Sequence, residues 1–71
     1  MNIYFTNTNT TEELTAIIFS IPSAREKAIE TFKNSNSKKC FEYIRRHEVA
    51  RAIKQPEFTL FGLTFKEGGN S

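Results

Sequence analysis

A chain of 71 residues, 38% apolar and 25% charged, has the composition of one ordinary globular domain and leaves no room for a second. Its single cysteine, Cys40, excludes an intramolecular disulfide and cannot build a zinc site alone, so a reducing, cytoplasmic setting is expected. The formal charge of +2 is small for a committed nucleic-acid binder, but it is unevenly spread: residues 1–35 carry three cations against four carboxylates, and residues 36–71 carry seven against four.

Met1 to Thr6 alternates Ile3 and Phe5 with Asn2, Tyr4 and Thr6, the period of a half-buried strand. This opening stretch has no basic n-region, and the longest apolar run, Ala16 to Phe19, is four residues; neither a secretory leader nor a membrane span is expected. Asn7 to Thr10 are short polar residues that favour a turn and a helix cap. Thr10 followed by Glu13 has the spacing of a capping box, and Leu14, Ile17 and Ile18 then share one helical face. Pro22 disfavours helical backbone at Ile21, which ends this helix near Ser20. Ser23 and Glu26 repeat the capping-box spacing, so a second helix is expected to start on Ser23. Its apolar stripe is Ala24, Ala28, Ile29 and Phe32, and it ends at Asn34, Ser35, Asn36 and Ser37.

Residues 38–66 hold five of the nine aromatic residues and most of the charge asymmetry, and the earlier segments are read as packing around them. Residues 38–54 are helical by propensity, but their apolar stripe changes phase. At about 100° per residue Cys40, Ile44 and His47 cluster on one side, whereas Val49 and Ile53 fall roughly opposite. Two readings are open. A straight helix is sandwiched between two layers, or the helix breaks near Arg46 and His47 into two pieces. In the second case the segment HEVARAIKQ resembles part of a helix-turn-helix in composition, without a glycine for the turn.

Gln55 and Pro56 stop the helix, and residues 57–66 form strand. One bulged strand, bent at Phe61 and Gly62, gathers Phe58, Leu60, Leu63 and Phe65 on one face with Thr59, Thr64 and Lys66 outside. A hairpin turning at Phe61-Gly62 is less favoured, because a bulky aromatic suits neither primed turn. Residues 1–66 then make one compact domain and 67–71 a disordered tail. The expected fold is small α+β: an N-terminal strand, two or three capped helices, and a C-terminal strand that pairs with the first while the helices cover one sheet face. The alternative is a small helical bundle with a C-terminal β-hairpin.

No catalytic constellation emerges. Cys40 and His47 lie about 10 Å apart along a continuous helix, too far for a nucleophile and base. The carboxylates sit where helix caps and intrahelical pairs explain them, there is no aspartate, and Gly68 and Gly69 precede no helix. No enzyme activity, metal or cofactor is expected. The leading expectation is a non-catalytic binding module, a regulator or inhibitor docking on another protein. Tyr4, Phe19, Tyr43 and Phe61 are its exposed apolar contacts, and strand 57–66 is open to homodimerisation. The alternative is a DNA- or RNA-binding regulator using residues 38–54, with Lys38, Lys39, Arg45, Arg46, Arg51 and Lys54 on phosphates. On a regular helix those cations spread over several directions, which counts against it.

Overall fold

The computed structural model describes residues 2–33 and 36–68, with Ser37 represented by its backbone. Strand β1 (Asn2–Phe5) is followed by α1 (Thr11–Ser20), α2 (Pro22–Phe32) and α3 (Ser37–Tyr43). The last of these runs on through a π-helical stretch (Ile44–Val49) into a final α turn, α4 (Ala50–Ala52), and the chain closes with β2 (Glu57–Leu60) and β3 (Leu63–Glu67). The sheet order is β1-β3-β2, with β1 parallel and β2 antiparallel to the central β3. This is the small α+β fold expected, with the first and last strands paired. It also contains the C-terminal hairpin of the helical-bundle alternative.

Two helices follow from local chemistry, one of them by a different device from the one expected. At α1 the capping box is complete: the Glu13 amide donates to Thr10 Oγ1 at 3.1 Å and the Thr10 amide donates to Glu13 Oε1 at 2.8 Å. The helix buries Leu14, Thr15 and Ile18, and the Thr15 hydroxyl is satisfied by donating to the Thr11 carbonyl. At α2 the second capping box does not form. Ile21 is the cap residue, with no side-chain bond, and Pro22 occupies the first helical position, where its fixed φ and missing N–H cost nothing. Ser23 and Glu26 therefore lie inside the helix. Its other end is closed by Lys33 in the left-handed region, at φ 51° and ψ 38°; Asn34 and Ser35, part of the expected stop, lie outside the described residues.

The phase change is resolved by neither of the two expected readings. Backbone angles stay right-handed and helical from Tyr43 through Ala50, so there is no break and no helix-turn-helix. Instead the Ala50 amide donates to the Arg45 carbonyl, five residues back, before Ile53 returns to the four-residue pattern with Val49. One wider turn adds one residue to the repeat. The buried side chains Cys40, Ile44, Val49 and Ala52 accordingly recur at spacings of four, five and three on a single face.

That face, with Ala24 and Ala28 of α2, packs against Leu14 and Ile18 of α1 and the inner sheet residues Phe5, Phe58, Leu63 and Phe65 in one core. The alanines let α2 approach closely enough for the Cys40 thiol to reach the Ala28 carbonyl at 3.5 Å. Phe58 stacks on Phe65 at 4.9 Å and meets Phe5 at 5.5 Å, so the aromatic side chains tie all three strands together.

Residues 57–66 are a hairpin, not one bulged strand. Phe61 at φ 52° and Gly62 at φ 83° are both left-handed, as a type I′ turn requires. The face assignment nevertheless stands, because Leu60 pairs with Leu63 and Phe58 with Phe65. The outer face carries Tyr4, Glu57 and Lys66 in one row and Asn2, Thr59 and Thr64 in the next. The ordered chain also extends past 66: Glu67 ends β3, its amide donating to Pro56, and the Gly68 amide donates to Phe5 at 2.8 Å. Only Gly69 to Ser71 of the expected tail lie outside the described residues.

Candidate nucleic-acid interface

The π turn decides where the cations of the long helix point. On an uninterrupted α-helix Arg51 would fall within about 20° of Cys40 and so point into the core. In the structure Cys40 is buried while Arg51 and Lys54 are exposed, as are Lys38, Lys39 and Arg46. The extra residue per turn that seats Val49 in the core also turns Arg51 out of it. All five cations, Arg51 included, are thus open to solvent.

Arg45 is the exception among the expected contacts. Its guanidinium donates to Glu42 Oε1 at 2.8 Å, and Glu12 of α1 adds to the negative field there. The pair holds the Glu42 carboxyl below the ordinary glutamate range, chiefly by that hydrogen bond, with Arg46 and Lys38 contributing at longer range. Arg45 is therefore committed to the flank facing α1. Glu48, the other carboxylate of this helix, is half-buried.

Aromatic rings interleave with the cations. Phe32 of α2 meets Tyr43 edge-on at 4.4 Å, and Tyr43 lies against His47 at 4.5 Å. A regular repeat of about 100° groups His47 with Cys40 and Ile44. Cys40 is nevertheless buried while His47 is exposed, the pairing expected of a structural cysteine and a surface histidine, and the His47 ring lies beside Tyr43. Phe32 was read only as part of the α2 apolar stripe; its contact with Tyr43 could have been suspected only by knowing which helix lies alongside.

The four expected apolar contacts divide evenly. Tyr4 and Tyr43 are exposed, by 67% and 46%. Phe19 and Phe61 are not free surface: both are half-buried against the core, and the Phe19 ring rests on Phe41 at 5.4 Å. Phe61 was expected to project from a bulge into a contact, but the left-handed turn folds it back.

Two further features complete the surface. A shallow groove of about 290 Å³ runs between the end of the long helix and β2, lined by Glu48, Arg51, Gln55, Phe58 and Thr59 among others. Strand β3 is paired on both sides, so of residues 57–66 only the outer edge of β2 is open. Cys40 is buried, and burial pushes its thiol pKa up, the opposite of what a nucleophile needs. It faces Ala28 while His47 faces solvent, so the two form no dyad. Among the described residues no three metal-ligating side chains come together, and no helix is long and apolar enough to cross a membrane.

Fold and surface together define a small α+β domain whose long helix exposes cations and aromatic rings. No protein-family model matches the chain, and neither a curated protein nor a solved structure is detectably similar to it.

Proposed function

We propose that the protein is a non-catalytic, cytoplasmic binding module that docks on nucleic acid through the outer side of its long helix. The observation that carries this reading is that Lys38, Lys39, Arg46, Arg51 and Lys54 of one helix are all exposed, with the Tyr43 and His47 rings in contact and exposed between them in sequence. It weakens the main objection drawn from the sequence, since Arg51, which a regular helix would turn into the core, is exposed. The rival reading loses part of its motive at the same time, because Phe19 and Phe61 are half-buried.

A gel shift on mixed DNA and RNA across a salt series tests it. Five phosphate contacts give a log–log salt slope of roughly −3 to −5, and each contact removed lowers its magnitude by about one. Arg46→Glu with Arg51→Glu should therefore weaken binding and flatten the slope. Exposed substitutions of this kind move stability by less than about 0.5 kcal/mol, so lost binding is not lost folding. Absence of retardation at low salt overturns the reading.

A second reading, protein docking, is favoured by one specific observation: the open edge of β2 lies beside the groove lined by Arg51, Gln55 and Thr59. An antiparallel edge strand turns alternate amides and carbonyls outward, and a strand of a second copy can pair with them.

A further inference from the structure

We infer that the partner of the basic helix face is a single-stranded nucleic acid, one of whose unpaired bases stacks on the rings of Tyr43 and His47. The inference rests on the nucleic-acid reading above and specifies which form of nucleic acid the face takes.

Its starting point is how Tyr43 is held. Phe32 is half-buried against the core and meets Tyr43 edge-on, at 4.4 Å and 61°. The ring of His47 lies on it at 4.5 Å and 40°. Tyr43 is thus fixed from behind and from one side but leaves 46% of its surface in solvent. A ring already ordered in this way loses little further freedom when a base settles on it. The other exposed tyrosine, Tyr4, is placed differently: it lies on β1 over Gly68, where an added Cβ would come within 2.9 Å of its ring.

The cations are arranged to suit a strand crossing that platform. Lys39 lies one turn before Tyr43, and Arg46, Arg51 and Lys54 follow it, so charge is available on both sides of the rings. From Lys39 to Lys54 the face is about 22 Å long at the usual helical rise, enough for a few extended nucleotides.

The choice between one strand and two follows from what the rings can touch. A duplex stacks its bases on one another and offers a protein only base edges and phosphates, and helices that read edges do so largely with Arg, Asn and Gln. Residues 38–54 contain Arg46 and Arg51 for base edges but no Asn or Gln, and the Tyr43 and His47 rings stand between Lys39 and Arg51 in the sequence. Rings gain from a base only when its flat face is free, as in single strands, loops and ends. Phe32 also brings α2 alongside Tyr43, which makes the face a ledge and not a protruding rod that could enter a groove.

The test is fluorescence anisotropy with labelled mixed-sequence 15-mers of single-stranded DNA and RNA, and with the corresponding duplexes, at several salt concentrations. At least one single-stranded probe should bind the parent protein about tenfold or more tighter than its duplex. Tyr43→Ala should lose about five- to hundredfold in single-strand affinity with an unchanged salt slope, because a stack and not a phosphate contact is removed; Tyr43→Phe should retain it. A second measurement does not depend on how well the alanine variant folds. The chain has no tryptophan and two tyrosines, so in Tyr4→Phe the emission is that of Tyr43 alone. Single strands should quench it and duplexes should not. Duplex binding as tight as single-strand binding, or single-strand binding that leaves the emission and the Tyr43→Ala affinity unchanged, overturns the stacking proposal while the nucleic-acid reading stands. Failure of every probe to bind at low salt overturns both.

Discussion

Thr10 and Glu13 show how far single residues can be read. Their reciprocal hydrogen bonds hold the Glu13 carboxyl below the ordinary glutamate range, chiefly through the Thr10 amide. A depressed carboxyl contributes stability in full above its unfolded-state pKa, and the contribution is lost as pH falls through the lower folded value. Melting temperature should therefore decline in that acid window, and Glu13→Gln should make the decline shallower; an identical acid limb in the two proteins would remove the carboxylate from the account. Thr10→Ala, which removes the cap hydroxyl, should cost about 1 kcal/mol at neutral pH. The box was legible because Thr and Glu at this spacing satisfy amides that nothing else can reach. Ser23 and Glu26 have the same spacing and form no box, because Pro22 takes the first helical position and moves the cap two residues back, from Ser23 to Ile21. Lys33 was illegible for the opposite reason: a left-handed cap normally asks for glycine, and nothing about a lysine advertises that backbone.

At the scale of elements, the sequence displayed the phase change between Cys40 and Val49 but not its resolution. Both readings assumed 3.6 residues per turn, and a single wider turn was needed to bring Ile44 and Val49 together. The candidate site was illegible for the same reason, since the direction of Arg51 depends on that turn. A deletion can test it. Removing Glu48 restores a four-residue spacing from Ile44 to Val49, so an all-α helix can bury the same four side chains. This variant should fold with a cooperative melt close to that of the parent, whereas a one-residue deletion inside α2 should not. Loss of the cooperative transition in the Glu48 deletion would mean that the π turn is required by something other than register. The hairpin was misjudged through Phe61, a residue disfavoured at φ 52° by roughly 1–2 kcal/mol. Its half-burial against the core provides the offset.

For the whole molecule, the sheet has two open edges, and only one belongs to the stretch suspected of homodimerisation. β3 is enclosed between β1 and β2, so self-association along residues 57–66 reduces to the four residues of β2 beside the groove. If copies pair there, sedimentation should depend on concentration. Thr59→Lys, on an exposed position of that edge, should abolish the dependence and leave the melt intact, because edge lysines oppose strand addition. A parent protein that stays monomeric at the highest attainable concentration eliminates pairing between copies.

The parallel pairing of β1 with β3 also favours an order of events during folding. Asn2 sits opposite Thr64, so the first strand has no partner in the sheet until β3 has been made. Closing a loop of that length costs roughly 3–4 kcal/mol in chain entropy before any of its contacts form. The helices and the β2–β3 hairpin rest on short-range contacts and can assemble first. β1 is then expected to join last, onto an edge of β3 that the hairpin has already laid out.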